Sequence, residues 1–205
     1  MSWQNTITVW AQRCALGMLG CALLFLLPFS SAAQSGDWSA GVYAGQYYDT
    51  EPAGFVQGRA SFVPHHMFAL TASKTVWRSA TLPLSLEIDG MVGMQSGVTQ
   101  LGEVAIAPAL RWSGFAWNDV VRTSVRAAPV GISYTSAVSP LETGPSGNGS
   151  RLLNWLFLEV ALSRPADPSN EFFMRLHHRC AAYDLLNNYG ANGDDFFAVG
   201  FRRRF

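Results

Sequence analysis

The chain is poor in charge, and what charge it has is balanced: 14 Lys and Arg against 14 Asp and Glu in 205 residues. No excess of positive charge argues for nucleic acid as a partner, and none is expected. Cysteine is scarcer still, at three. Two of these, Cys14 and Cys21, fall in an apolar run near the start. Cys180 then stands alone and cannot form an internal disulfide, which is unusual in an exported chain. Beyond that first run, Cys14 to Phe29, no segment is long and apolar enough for a membrane helix, which needs about 20 residues. There is no internal repeat and no low-complexity block.

The apolar run reads as a secretory signal. Arg13 precedes it, and Ser31 and Ala33 occupy the minus-three and minus-one places of a cleavage site after Ala33. A membrane anchor is the alternative, but the run is short for a spanning helix. Cys21 raises a lipoprotein start, which Met18-Leu19-Gly20 fits poorly. Residues 1–33 are therefore expected to be a signal peptide, and 34–205 one domain.

That domain consists of short alternating runs separated by Gly, Pro, Ser and Asn, the sequence pattern of a membrane barrel. Eight strands are predicted at about 38–48, 66–77, 83–95, 101–112, 119–134, 151–163, 171–181 and 194–205. In the third, Leu84, Leu86, Ile88, Val92 and Met94 share one face, and Ser85, Glu87 and Asp89 the other. In the fourth, Val104, Ile106, Leu110 and Trp112 oppose Glu103 and Arg111. In the sixth, Leu152, Leu156, Leu158, Val160 and Leu162 oppose Arg151 and Glu159. A soluble barrel would turn the apolar side in. The signal, the final Phe205 and the many aromatics favour the opposite: an all-β, eight-stranded antiparallel transmembrane barrel of the outer membrane, apolar outside and polar within. In lipid such a sheet must close, because unpaired backbone groups are too costly there. Glu87, Asp89, Glu103 and Glu159 are then expected to meet Arg111, Arg122, Arg126, Arg175, Arg202 and Arg204 in a charge-paired plug.

Connections near 78–82, 113–118 and 164–170 are short. Those near 49–65, 135–150 and 182–193 are long, and only 96–100 is short among the second set. Outer-membrane barrels keep short turns in the periplasm, so both termini belong there. Trp38, Trp77, Trp112, Phe115, Trp117, Phe172 and Phe205 then form an aromatic girdle at that end. Phe205 also gives the barrel-assembly machinery a terminal signal. Three features fit less well. Pro108 lies inside the fourth strand, Lys74 falls on an apolar face near a boundary where it can snorkel, and alternation changes phase around Pro129, as a bulge would cause.

The seventh strand carries the main anomaly. Phe172, Met174 and Leu176 put even positions toward lipid, yet His178 and Cys180 continue that face. In the eighth strand Phe197, Val199, Phe201 and Phe205 mark odd positions as lipid-facing, and Asp195 is odd. If the strands are neighbours, His178, Cys180 and Asp195 gather on one outward patch near the outer leaflet. A nucleophile, a base and an orienting carboxylate suit acyl transfer. A free thiol is only a few per cent ionised at neutral pH, so a nearby imidazole matters. The bland alternatives are a rim histidine, a cysteine acting as a small apolar filler and solvated turn aspartates. The doublets His65-His66 and His177-His178 do not suggest a metal, because adjacent strand residues face opposite ways.

Arg175 to Cys180, together with Gly193 to Phe205, resembles the PagL-type lipid A 3-O-deacylases, the acyloxyacyl-hydrolase-like outer-membrane proteins. Arg111-Trp112, Trp117-Asn118-Asp119 and Leu152-Leu153-Asn154 resemble distant members. The resemblance covers most of 34–205 and is sharp only near the end. It implies an eight-stranded barrel without cofactor or metal, in which a His-x-Ser pair and an acid remove the 3-linked acyl chain of lipid A in lipopolysaccharide. His178 matches the histidine, and Asp195 the acid, with Asp194 as alternative. Cys180 stands where the family has serine. Ala181 stands where it has an asparagine that helps bind the oxyanion, and losing such a donor costs about 10²–10³ in rate. The other class of function is a degenerate or non-catalytic barrel with a structural, adhesive or recognition role through its outer loops. The Gly/Ser/Pro-rich 135–150, expected to be mobile, is the chief candidate.

Overall fold

The computed structural model of the chain describes residues 36–50, 52–144, 146–182, 186, 193 and 195–205. The expected signal peptide and Asp194 lie outside them, as does most of the connection after Cys180. The described residues form a closed antiparallel barrel. Its strands are β1 (Trp38–Tyr48), β2 (Phe62–Arg78), β3 (Leu84–Ser96), β4 (Leu101–Trp112), β5 (Arg122–Ala128), β6 (Ile132–Thr135), β7 (Leu152–Arg164), β8 (Asp167–Cys180) and β9 (Asp195–Arg204). Each pairs with its chain neighbour, β5 and β6 being two halves of one barrel strand between β4 and β7. Pairing of β1 with β9 closes the ring and makes eight strands. Closure leaves no edge, which lipid would not tolerate.

The misfit prolines account for each other. On β4, Ile106 pairs with Ile132 and Leu110 with Ala127. Three residues of β4, including Pro108, therefore face four, Ala128 to Gly131, on the partner. Pro108 sits where the ladder is already interrupted and its missing N–H costs least. The extra residue is a bulge that reverses the alternation: Ser124 and Arg126 point inward on β5, whereas Ser133 and Thr135 do so on β6. Gly131 is required in the bulge. A Cβ there would lie 2.6 Å from the Ala107 side chain and 2.7 Å from the Trp155 carbonyl oxygen.

The inside is a plug of charge and aromatic rings. Glu159 binds Arg126 at 3.1 Å, Arg175 at 2.6 Å and Arg202 at 2.7 Å. Asp89 and Glu87 hold Arg126 from the other side, at 2.5 and 2.8 Å. Glu171, which the alternation analysis had not assigned to the interior, joins Arg111 and Arg202. The Arg175 guanidinium lies over the rings of Phe157, at 4.1 Å, and Tyr43, at 5.0 Å, an attraction strengthened by desolvation. Arg122 departs from expectation: it stands exposed at the start of β5. Because eight strands leave little interior beyond side chains, the purified protein in a planar bilayer is expected to pass no steady ion current. A stable single-channel conductance would contradict the plug.

Nearer the long-loop rim, Glu103 accepts from Gln95 and Ser133. Arg179 donates to Ser133 and, at 2.5 Å, to Glu142. Glu142 belongs to a short 3-10 helix, Pro140–Glu142, capped by Ser139. The connection expected to be mobile is thus pinned into the barrel mouth through Glu142, and it fixes the end of β8. At the opposite rim Trp38, Trp77, Trp112, Trp117, Phe172 and Phe205 are all exposed, as a girdle requires. Lys74 stands 5.1 Å from the centre of the Trp38 ring.

Candidate functional site

On β8 Glu171, Phe173, Arg175, His177 and Arg179 are buried inside, so His178 and Cys180 point outward, as the parity predicts. The antiparallel register then supplies their neighbours. His178 is opposite Asp195 on β9, and Cys180 is opposite Asn154 on β7. Asp195 holds His178 Nδ1 at 2.6 Å, and His178 and Cys180 stand two residues apart on the same outward face of β8. All three sequence-predicted site residues are brought together.

Two further side chains complete the row. Tyr48, at the end of β1, donates to Asp195 Oδ1 at 3.5 Å. Asn154 donates through Nδ2 to Cys180 Sγ at 3.6 Å. Tyr48, Asp195, His178, Cys180 and Asn154 thus run as a band across four adjacent strands, bonded at Tyr48–Asp195, Asp195–His178 and Asn154–Cys180. Asn154 carried the same sequence signal as His178, a polar residue among Leu152, Leu156 and Leu158 on an outward face. Tyr48 had no such signal, since an aromatic at an outward position is ordinary.

The amide of Asn154 is oriented by the bulge. Its Oδ1 accepts the N–H of Gly131 at 2.9 Å, which turns the NH₂ group toward sulfur. The Gly131 N–H settles which way the amide points. Two residues past the thiol, Ala182 has φ +51°, the one positive value outside glycine among the described residues. Left-handed backbone at a non-glycine costs of order 1–3 kcal/mol and persists where surroundings enforce it. Here the pinned Arg179 supplies the anchor three residues earlier in the chain.

An aromatic ledge flanks the acid end. The helix α1 (Pro52–Val56) in the first connection lays Phe55 against Tyr48, ring centres 4.7 Å apart, and stacks it on Phe197 at 5.0 Å. Tyr48 is outward by parity yet fully buried beneath this ledge. The ledge excludes water from the Tyr48–Asp195 contact and strengthens it. No cluster of three metal-ligating side chains occurs among the described residues.

No family profile and no curated protein matches the chain. Among solved structures it is similar to the outer membrane enzyme PagL, with a TM-score of 0.57 and 15% identity over 82% of this chain and 99% of that one. It is also similar to Neisserial surface protein A, at 0.49 and 10% over 83% and 98%. The N-terminal β-barrel domain of Pseudomonas aeruginosa OprF gives 0.44 and 10% over 82% and 99%. At such identity the likeness to PagL speaks for the fold. The chain is an eight-stranded barrel of the outer-membrane type, with an acid, an imidazole and a thiol aligned on its outer wall.

Proposed function

We propose that the protein is an outer-membrane ester hydrolase that removes an acyl chain, the 3-O-linked one, from lipid A of lipopolysaccharide. The observation that carries this reading is the Asp195–His178–Cys180 array on the outward wall. Polar groups facing hydrocarbon are costly and call for a functional reason. An ester inside a lipid leaflet reaches an outer wall readily and a plugged lumen not at all. The resemblance of Arg175 to Cys180 to the PagL-type deacylases supplies the acyl position. The barrel lies in the outer membrane with the long connections outside, after export by a cleaved signal and assembly by machinery that reads Phe205.

Asp195 holds Nδ1, so Nε2 is the nitrogen that serves the thiol. Cys180 gives its proton to His178, and sulfur attacks the ester carbon while the carbonyl electron pair moves onto oxygen. As the intermediate collapses, the carbon–oxygen bond to the sugar breaks and His178 gives the proton to the departing sugar oxygen, which leaves as a hydroxyl. Water, deprotonated by His178, then attacks the thioester. Sulfur leaves, recovers its proton, and a 3-hydroxy fatty acid is released.

The test is lipid A mass spectrometry from cells with and without the full-length protein. Loss of one 3-hydroxy fatty acid is expected. Unchanged lipid A, with Cys180→Ser also inactive, would favour a non-catalytic barrel that works through its loops.

A further inference from the structure

Resting on that reading, we infer that Asn154 is the side-chain donor of the site's oxyanion hole. Ala181 follows the nucleophile and offers no side-chain donor there. Asn154 reaches the same sulfur from the neighbouring strand, paired across the ladder with Cys180. Its Nδ2 lies 3.6 Å from Sγ. The oxyanion forms on the carbon that sulfur attacks, so a donor held on the sulfur from β7 is within reach of that oxygen.

Three features show that the amide is built for this and not merely tolerated. It is 5% exposed, although it faces outward among leucines. Its oxygen is locked by the Gly131 N–H, so it cannot flip to present an acceptor to the developing negative charge. Its second amide hydrogen has no acceptor among the described residues and is left for substrate. The lock depends on the bulge that Pro129 and Gly131 put into the fifth barrel strand. A feature that looks like a flaw in the strand pattern thereby fixes a donor in advance, and preorganised donors stabilise a transition state without reorganising.

The experiment uses the full-length chain folded in detergent micelles, with fold checked by the heat-dependent gel mobility of barrels. Acylation of Cys180 is followed with p-nitrophenyl octanoate and alkylation with iodoacetamide. Iodoacetamide displaces iodide at a saturated carbon and builds no oxyanion. Asn154→Ala is expected to slow acylation by about 10²–10³-fold, with a far smaller change in alkylation. Asn154→Asp keeps the shape and the bond to Gly131 but removes the donor, so it should lose acylation at least as much. It decides the matter should the alanine variant misfold. Equal losses in both reactions would mean that Asn154 only holds the thiol in place, and no loss would mean that it does nothing. Either result overturns the inference and leaves the hydrolase reading standing. A wild-type protein that is alkylated but never acylated overturns the hydrolase reading itself, and this is seen before any Asn154 variant is made.

Discussion

Replacing His178 by alanine is expected to abolish release of 3-hydroxy fatty acid from lipid A, with a loss of about 10²–10⁴-fold or more. That range is what a positioned general base contributes. In the proposed reaction two proton movements depend on this one ring, removal from the thiol and activation of water, so both halves should slow. The fold should survive. His178 lies on the outer wall and its one strong bond is to Asp195, whereas the charge network that fills the barrel runs through other residues. Lipid A mass spectra and gel mobility measured on the same preparation separate the two effects. Release by a folded His178→Ala protein at the wild-type rate would remove the imidazole from the mechanism.

Glu159→Ala is expected to do the reverse, sparing the chemistry of the outer wall while weakening the barrel. One carboxylate there meets Arg126, Arg175 and Arg202, all buried. Removing it leaves Arg175, among the described residues, with the 3.5 Å contact to Asp89 as its remaining ion pair. Breaking a buried pair from one side costs about 3–5 kcal/mol, because the charge left behind is uncompensated. The midpoint of urea unfolding in detergent or liposomes should fall accordingly. The exposed pair Arg78–Asp37, at 2.8 Å, is the control: Arg78→Ala should cost no more than about 1 kcal/mol. Equal shifts in the two variants would show that the interior is hydrated well enough to screen its own charges.

Much of the barrel was legible because its two faces obey opposite rules. Lipid outside demands apolar side chains and a packed lumen inside accepts charged ones, so a period of two is written plainly along β3, β4 and β7. The same rule exposed His178 and Cys180, since a polar residue on a lipid-facing parity contradicts its surroundings. Glu171 escaped although it shares the odd parity of Arg175 and His177, because it stands at the first position of the expected strand, where parity does not tell an inward side chain from a rim one. Glu142 escaped because it belongs to a connection, and no alternation tells which loop residue folds back into the mouth. Arg122 was drawn inward by parity alone, which says nothing about where along the axis a strand meets water.

Local alternation, acting residue by residue, determined the strands and the face that His178, Cys180 and Asp195 share, and the signal-like start and the aromatics turned that face toward lipid. The band itself was decided only by tertiary structure. Whether Asp195 lies beside His178, or Asn154 beside Cys180, depends on the stagger between strands, and a slip of two residues preserves every facing preference while separating each pair. That stagger is set by closure of the whole ring and by the bulge at Pro129 to Gly131, which are long-range constraints that no single segment carries.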